Sequence, residues 1–458
     1  MKRKVALFGG SFNPLGTHHI NIIKKLLPEF DEIIVVLCGP RPDKATTNDI
    51  EPVHRAAMAD LALRGLPEKV RVDHADLSNN VFTRTHELEK RYGIRGEVWH
   101  VIGFDLVQGG SEGRAAIQRE WERGEELWKE SNFVVVKRSG YEWNEADLPP
   151  RHTVISPDHS GSSTEIRNRV FNHKPVDDLV APEVAAYIKR YNLYRGIFPQ
   201  QKAILELNRL KPFFVADEKN GKAVEIKNRS GESAGLKEAN AIVVIGGDGT
   251  MLRAIRKYWA LRLPFIGVNA GHQGFLLNEG DPDILNKPFV VYQLPLLSVL
   301  IKNSKGERIQ TVGFADAWAE RRGGQSAWFE VKLDGCFIPK VAGDGLLVAT
   351  AAGSTGYARH IAGFSLPPYA SHLILAGMNI AEPANWKNSV ISRDAAVEFK
   401  TIGGKKRPVR GFVDGVPLGD IESMRVSQSR VAAVELAFLR ESDIVAKHTR
   451  LNLPYLIS

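Results

Sequence analysis

The chain has 458 residues, 43% hydrophobic and 25% charged, with a formal charge of +8, the composition of a soluble globular protein of about three domains. No apolar run is long enough to cross a membrane, and the basic residues are scattered without interleaved aromatics, so neither a membrane nor a nucleic acid is an expected partner. The two cysteines, Cys38 and Cys336, lie far apart without metal-ligand spacing, which fits reduced, buried thiols in a cytoplasm and no bound metal.

Behind Met1-Lys2-Arg3-Lys4 the apolar run reaches only Phe8, so it reads as a first buried strand and not as a signal peptide. That strand runs into Gly9-Gly10-Ser11-Phe12-Asn13-Pro14, and Ile20, Ile22, Ile23, Leu26 and Leu27 then recur at helical spacing. The helix starts beside His18 and His19, and such an end attracts phosphate. Ile33–Leu37 is the next strand, followed by a helix over Val53–Leu63 that carries His54 and Arg55. His54 is assigned to a solvated face, and Arg55 either to that face or to a phosphate. Strands at Val70–Val72, Val98–Ile102 and Phe133–Val136 follow, the second leading into Gly103-Phe104-Asp105. Strands alternating with helices imply a parallel sheet with ligands at its C-terminal edge. Asp158–Arg167 reads as a helix start with Ser163 or Thr164 as the cap and Arg167 one turn in. Tyr187–Tyr194 closes this part, and Arg195–Gln200 is a short linker that packs or tethers the halves closely.

From Lys202 the α/β pattern restarts. The run Ala241–Ile245 breaks into Gly246-Gly247-Asp248-Gly249-Thr250, where glycine lets backbone N–H groups approach a bulky anion. One carboxylate in such a turn is suited to binding a metal or accepting a hydroxyl proton. A helix from Met251, a strand at Pro264–Val268 and the segment Asn269–Leu276 follow. From about residue 290 short alternating strands take over, with hairpin signals at Asp334-Gly335 and Asp414-Gly415. Between the two textures lies Gly343–Ala358, rich in small and hydroxyl residues that suit close backbone contact with a nucleotide. Lys405-Lys406-Arg407 reads as a solvated hairpin tip.

Gly9–Pro14, His18-His19 and Ser162–Arg167 together resemble the nicotinamide or nicotinate mononucleotide adenylyltransferases over about residues 1 to 196. The family's His-x-Gly-His departs here: Gly16 stands at the first histidine, His18 at the glycine, and His19 at the second histidine. The resemblance implies a catalytic His19 and ATP contacts from Gly9, Gly10, Ser11, Phe12, His18, Ser163, Thr164 and Arg167. It also implies mononucleotide or ribose contacts from Asn13, Asp105 and Trp121, although Trp121 on residue type alone reads as core.

Gly246–Thr250, Asn269–Leu276 and Asp344–Tyr357, in that order, resemble the NAD kinases over about residues 200 to 458. The first stretch alone is shared with lipid and diacylglycerol kinases; the last separates them. Here Ala351-Ala352 replaces the family's Pro-Thr, Gly356 replaces an alanine, and the family's Asn-Asp or Asn-Glu pair falls on Asp316-Ala317. The resemblance implies that Asp248 accepts the ribose hydroxyl proton. It assigns substrate binding to Gly246, Gly247, Gly249, Thr250, Asn269, Asp316, Asp344, Thr355, Tyr357 and Ala358.

The expected architecture is α/β, a Rossmann-like nucleotidylyltransferase domain (1–196) followed by an NAD kinase fold. That fold divides into an α/β part (197–289) and a β-rich part (290–458), whose C-terminal tail returns to the α/β part. The expected function is bifunctional: adenylylation of a pyridine mononucleotide, then phosphorylation of the resulting NAD to NADP. Mg²⁺ is expected with ATP, the partners are small molecules (ATP, mononucleotide, NAD), and the NAD kinase resemblance implies a homo-oligomer. The alternative keeps one half active and makes the other a degenerate NAD-binding or sensing module, a reading carried by Gly16 and Ala317. A lipid or sugar kinase fused to a pantetheine-phosphate adenylyltransferase ranks last, because it leaves Asp344–Tyr357 unexplained.

Overall fold

The computed structural model describes residues 2–41, 44, 49–137, 140–158, 161–196, 201–207, 209–272 and 274–452. The chain forms two compact units, Met1–Pro199 and Gln200–Ser458. The linker positions 197–200 lie outside the described residues.

The first unit is built on six strands, β1 (Lys4–Gly10), β2 (Glu32–Leu37), β3 (Val70–Asp73), β4 (Glu97–Gly103), β5 (Asn132–Val136) and β6 (His152–Ile155). They form one sheet in the order β3-β2-β1-β4-β5-β6, and every pairing is parallel. Crossover connections cover both faces, so β2 is buried at every residue from Glu32 to Leu37 and its sequence is an unbroken apolar run after the glutamate. Strand order reverses between β1 and β4, which opens a crevice at their C-terminal ends. The helix Pro52–Leu63 is buried along most of its length. His54 is only 3% exposed, which corrects its assignment to a solvated face: its Nδ1 lies 3.0 Å from the Tyr187 hydroxyl, and burial lowers its pKa to about 4.

In the second unit Pro212–Ala216, Ala241–Gly246 and Phe265–Asn269 run parallel, and the third continues in parallel onto Leu436 and Ala437 of the 24-residue strand Val416–Leu439. That strand also pairs antiparallel with Phe289–Asn303, so one long element belongs to both the α/β and the β-rich parts. The α/β fold followed by a β-rich one is therefore as the sequence implies. Asp334 and Gly335 take φ of 47° and 86°, and Asp414 and Gly415 take 47° and 77°, the two successive positive values of a type I′ hairpin turn. Residues 403–406 are exposed, but they are no hairpin tip. Their flanking strands, Ala396–Thr401 and Val409–Val413, each pair with Val416–Leu439. Cys38 is buried, whereas Cys336 is exposed because it follows the Asp334-Gly335 turn, a correction to the buried-thiol expectation. Among the described residues no helix is long and apolar enough to cross a membrane.

Candidate active sites

In the first unit β1 ends on Gly9-Gly10 beside β4, which ends on Gly103. The two glycines differ. A Cβ on Gly9 would meet nothing within 4 Å, whereas one on Gly10 would lie 3.0 Å from the Phe12 ring. Gly9 thus leaves backbone open to a ligand, and Gly10 accommodates Phe12. Phe12 holds a φ of 41°, unusual for a residue with a Cβ. Its ring is buried edge-on to Phe8 and His19, at 5.1 and 5.0 Å between centroids. Its side chain therefore packs the turn from below. Asn13 is fully buried; its Oδ1 accepts from the Tyr194 hydroxyl at 2.6 Å. Arg55, also buried, donates to Ser11 O at 3.0 and 2.5 Å and to Cys38 O at 2.7 Å, which fastens the turn after β1 to the end of β2. At 1% exposure it does not lie on the solvated face, one of its two expected positions.

The helix Thr17–Leu26 starts at Gly16. The Gly16 N–H donates to His19 Nδ1 at 3.1 Å, so the ring proton of this tautomer sits on Nε2. His18 lies 3.8 Å from His19 between centroids, and a Cβ at Gly16 would lie 2.8 Å from the His18 ring. His18 thus fills the space that a side chain at position 16 would enter. The helix Ser163–Phe171 is capped by Ser162, whose Oγ accepts from Glu165 N at 3.1 Å. This corrects the expected cap, because Ser163 is already helical and its Oγ donates to Pro14 O at 2.9 Å. Arg167 donates to Asn13 O at 2.8 Å and to Thr164 Oγ1 at 3.2 Å. The Gly9 turn, both histidines and Ser163–Arg167 therefore form one cluster. Asp105 sits on the short turn Phe104–Leu106 after β4. Trp121 is partly buried against the cluster of Ile102, Phe104 and Val107. Trp143, which no motif marks, packs on Phe104 at 4.7 Å between centroids with Lys137 Nζ at 4.1 Å from its ring.

In the second unit three parallel strands end at one edge, and Asp217, Gly246–Thr250 and Asn269 lie there. A Cβ on Gly246 would lie 2.6 Å from Thr250 Oγ1, while one on Gly247 would meet nothing and one on Gly249 only Arg253, at 3.7 Å. The following helix begins at Asp248 and not at Met251, because Gly247 is extended and serves as its N-cap. Asp248 therefore sits in the first helical turn, where the dipole favours a carboxylate. Its two oxygens accept from Phe275 N at 3.1 Å and Leu276 N at 2.8 Å. Burial raises its pKa, while those N–H groups and Lys447 oppose the rise. Thr250 Oγ1 donates to Asp217 at 3.3 Å and accepts from Arg253 at 3.0 Å. Asn269 donates to both Glu279 oxygens, at 2.8 and 3.0 Å, and accepts from Gly271 N at 2.9 Å, so its amide braces the 271–279 loop.

In the β-rich part Asp316 opens the strand Asp316–Arg321 and is 4% exposed. Burial, with Asp414 nearby, pushes its pKa up to about 7. Asp414 accepts from Phe314 N at 2.9 Å and Ala315 N at 2.7 Å, and Arg256 lies 3.7 Å away. Thr350 Oγ1 donates to Phe314 O at 2.8 Å, and a Cβ on Gly353 would lie 2.1 Å from Ala315 O; the Gly353–Tyr357 segment is thereby pressed against residues 314–316. Tyr357 is partly exposed and packs on Trp318, 5.2 Å between centroids, which stacks on Phe412 at 4.8 Å. Thr355 Oγ1 donates to Ala352 O at 3.3 Å. Ala358 is fully buried among Trp318, Leu347 and Ile374, a packing position. Asp344 is bound by Arg321 at 2.5 Å and Asn379 at 2.7 Å. Asp316 pairs with Ala349, so about 16 Å of strand separates Asp344 from the Asp316 level.

Two sets of parallel strands, each with a glycine turn at its C-terminal edge and a helix N-terminus beside it, point to a phosphate-handling transferase. Residues 7–169 match the cytidylyltransferase-like family, and residues 113–285 match the ATP-NAD kinase N-terminal domain. The two matches overlap over 113–169, a stretch that folds within the first unit. The NAD kinase of Rickettsia akari (strain Hartford) is 30% identical over 207 residues, 44% of this chain and 81% of that protein. That of Cereibacter sphaeroides (strain ATCC 17025 / ATH 2.4.3) is 32% identical over 207 residues, 44% of this chain and 82% of that protein. A solved NAD kinase from Archaeoglobus fulgidus in complex with ATP overlays with a TM-score of 0.41 at 20% identity, covering 52% of this chain and 96% of that one, a likeness too loose to argue from. The chain belongs to the NAD kinase family, and it carries a nucleotidyltransferase-like domain ahead of the kinase.

Proposed function

We propose that the chain makes NADP from a pyridine mononucleotide in two ATP-dependent steps. Residues 1–196 perform the first, and the α/β (197–289) and β-rich (290–458) parts together perform the second. The observation that carries this reading is the joining of the two families in one chain, because the product of the first chemistry is the substrate of the second.

In the first step a mononucleotide phosphate oxygen attacks the α-phosphorus of ATP and pyrophosphate leaves; positioning and charge stabilisation suffice. Gly9, Gly10, Ser11 and Phe12 offer backbone to ATP. His19 donates from Nε2, and His18, Ser163, Thr164 and Arg167 complete the phosphate contacts. Asn13, Asp105 and Trp121 take the mononucleotide. Support comes from the His19 tautomer, whose Nδ1 is held by Gly16 N–H, so a neutral imidazole already presents a donor.

In the second step the adenosine 2′-hydroxyl oxygen attacks the γ-phosphorus, ADP leaves, and the hydroxyl proton passes to Asp248. A carboxylate with two backbone donors keeps further acceptor capacity, and burial, which raises its pKa, makes it a better base than an ordinary aspartate. Gly246, Gly247, Gly249 and Thr250 form the phosphate turn; Asn269, Asp316, Thr355, Tyr357 and Ala358 shape the NAD site, while Asp344, held by Arg321 and Asn379, stands apart from it. Mg²⁺ enters with ATP as part of that substrate. The enzyme acts in the cytoplasm as a homo-oligomer.

The test is ATP-dependent NADP formation from mononucleotide, with His19→Ala and Asp248→Asn made separately. Each variant is expected to stop its own half-reaction and spare the other. If one half-reaction is absent in the unmodified protein, that half is a binding or sensing module.

A further inference from the structure

The C-terminal helix Ile444–Asn452 carries a residue that none of the sequence motifs touches. Asp443 sets where this helix begins. Its Oδ1 accepts from Val445 N at 3.1 Å and Ala446 N at 3.0 Å, and its Oδ2 accepts from the Tyr292 hydroxyl at 2.6 Å and Lys202 Nζ at 2.7 Å. The helix is therefore tied at its start to the strands Phe289–Asn303 and Lys202–Leu205. Farther along it, the Arg359 guanidinium donates to Leu451 O at 3.2 Å, and Ser365 Oγ lies 3.2 Å from His448 Nε2 and 3.0 Å from Asn452 Oδ1. Those contacts reach the segment that follows Thr355 and Tyr357.

Lys447 lies between these two anchors. Its ammonium donates to Gly274 O at 2.8 Å and to Leu277 O, with Phe275 O at 3.5 Å. Three carbonyls of one short loop thus surround three N–H donors. The N–H groups of Phe275 and Leu276, from that same loop, hold the two oxygens of Asp248. A continuous path therefore runs from ammonium to loop carbonyls, and from loop amides to carboxylate. The charged groups that face Lys447 are Glu279, Asp248 and Arg450, and Asp248 faces Lys447 and Glu279.

We infer that Lys447 is a positioning residue for NAD phosphorylation: by fixing the 274–277 carbonyls it aims the amides that aim Asp248. The inference rests on the reading of Asp248 as the group that receives the ribose proton. Lys447 touches loop backbone and need not meet substrate. A small tilt of the loop would move both Asp248 hydrogen bonds at once, and a displacement of about 1 Å at a reacting group costs on the order of 100-fold in rate.

The experiment uses the full chain. Lys447→Met is expected to lower kcat for NAD phosphorylation by about 10- to 100-fold, with the KM for NAD changed less than about threefold and mononucleotide adenylylation unchanged. Loss of the positive charge also moves the acid limb of the kinase pH–kcat profile to higher pH, because Asp248 becomes easier to protonate. Lys447→Arg, which keeps charge and donors, is expected to recover part of the rate and the original limb. If Lys447→Met unfolds the second unit, Lys447→Gln, with a donor but no charge, is read the same way. An unchanged kcat in the folded neutral variant, with Asp248→Asn inactive, overturns the inference alone. Full activity in Asp248→Asn removes the reading of Asp248 on which it rests.

Discussion

The two glycine turns solve one problem in the same way and then diverge. In each, one glycine is open to a ligand, Gly9 or Gly247, and its neighbour is a glycine because its own chain folds over it, Phe12 over Gly10 and Thr250 over Gly246. They differ in what orients the polar group. His19 is held by the N–H of Gly16, three residues away, so turn, helix start and imidazole are one local piece of chain. Asp248 is held by amides 27 and 28 residues ahead, and those in turn by Lys447. The histidine of the first site is oriented by its own motif; the carboxylate of the second is oriented by the fold. Damage far from the chemistry is therefore expected to reach Asp248 more readily than His19.

The largest effect expected is from Asp248→Asn. The amide keeps the shape but loses the proton acceptor, and NAD phosphorylation should fall by about 10²- to 10⁴-fold, with NAD still bound in a direct titration. Retained turnover would remove Asp248 from the chemistry. Next is His19→Ala, expected to cost about 3 kcal/mol of transition-state stabilisation, or roughly 100-fold, in adenylylation and nothing in the kinase assay. A kinase loss of similar size would mean that the two sites are not independent.

This contrast also explains what was legible beforehand. The strand, turn and helix of the first unit follow one another in sequence, so the parallel sheet and the Gly9–His19 cluster could be read from spacing alone. The pairing of Ser163 with Pro14, 149 residues away, had no local mark and came only through resemblance. His54 was misplaced, and Arg55 left open, for a related reason: a buried histidine beside a tyrosine, and a buried arginine that clamps two carbonyls, look no different from solvated residues until the partners are known. In the second unit Gly246–Thr250 announced itself. Asp217 at a neighbouring strand end and Lys447 did not, because each acts on residues far along the chain; Arg253 and Glu279, closer to their partners, carry no residue type that marks them. Asp344 was legible as part of a motif, yet its carboxylate is taken by Arg321 and Asn379.

The two units should also answer pH in opposite directions. Asp316 has its pKa raised from 3.8 to about 7 by burial beside Asp414, so between these values the folded state holds more protons than the unfolded one. Stability is then highest at the acid end of that window and falls as pH rises to about 7, by on the order of 4 kcal/mol if the whole shift is expressed. His54 has its pKa lowered from 6.5 to about 4; there the unfolded state holds more protons. Its contribution is present above pH 6.5 and is lost as pH falls towards 4. Hydrogen exchange resolved by segment should show Asp316→Asn protecting the second unit at pH 8 more than at pH 4. His54→Gln should flatten the acid sensitivity of the first unit. Parallel pH slopes in both units, unchanged by either substitution, would contradict the assignment.

The smallest effects separate the glycines within each turn. Gly246→Ala places a methyl 2.6 Å from Thr250 Oγ1, a contact relieved only by moving a buried threonine that also holds Asp217 and Arg253; overpacking of this kind costs about 1 to 3 kcal/mol. Gly10→Ala meets the Phe12 ring at 3.0 Å, and an aromatic ring gives way by a slight tilt, so its cost should sit at the lower end. Gly9→Ala and Gly247→Ala meet nothing in the protein and should leave thermal stability within about 0.5 kcal/mol. If backbone at those two positions faces phosphate, they should instead raise the KM for ATP in their own half-reaction. The pattern to look for is a crossed one, stability lost at Gly246 and ATP affinity lost at Gly247. If Gly247→Ala binds ATP as well as the unmodified protein does, the open side of the turn does not face phosphate, because neither its extended backbone nor its surroundings in the protein require a glycine there.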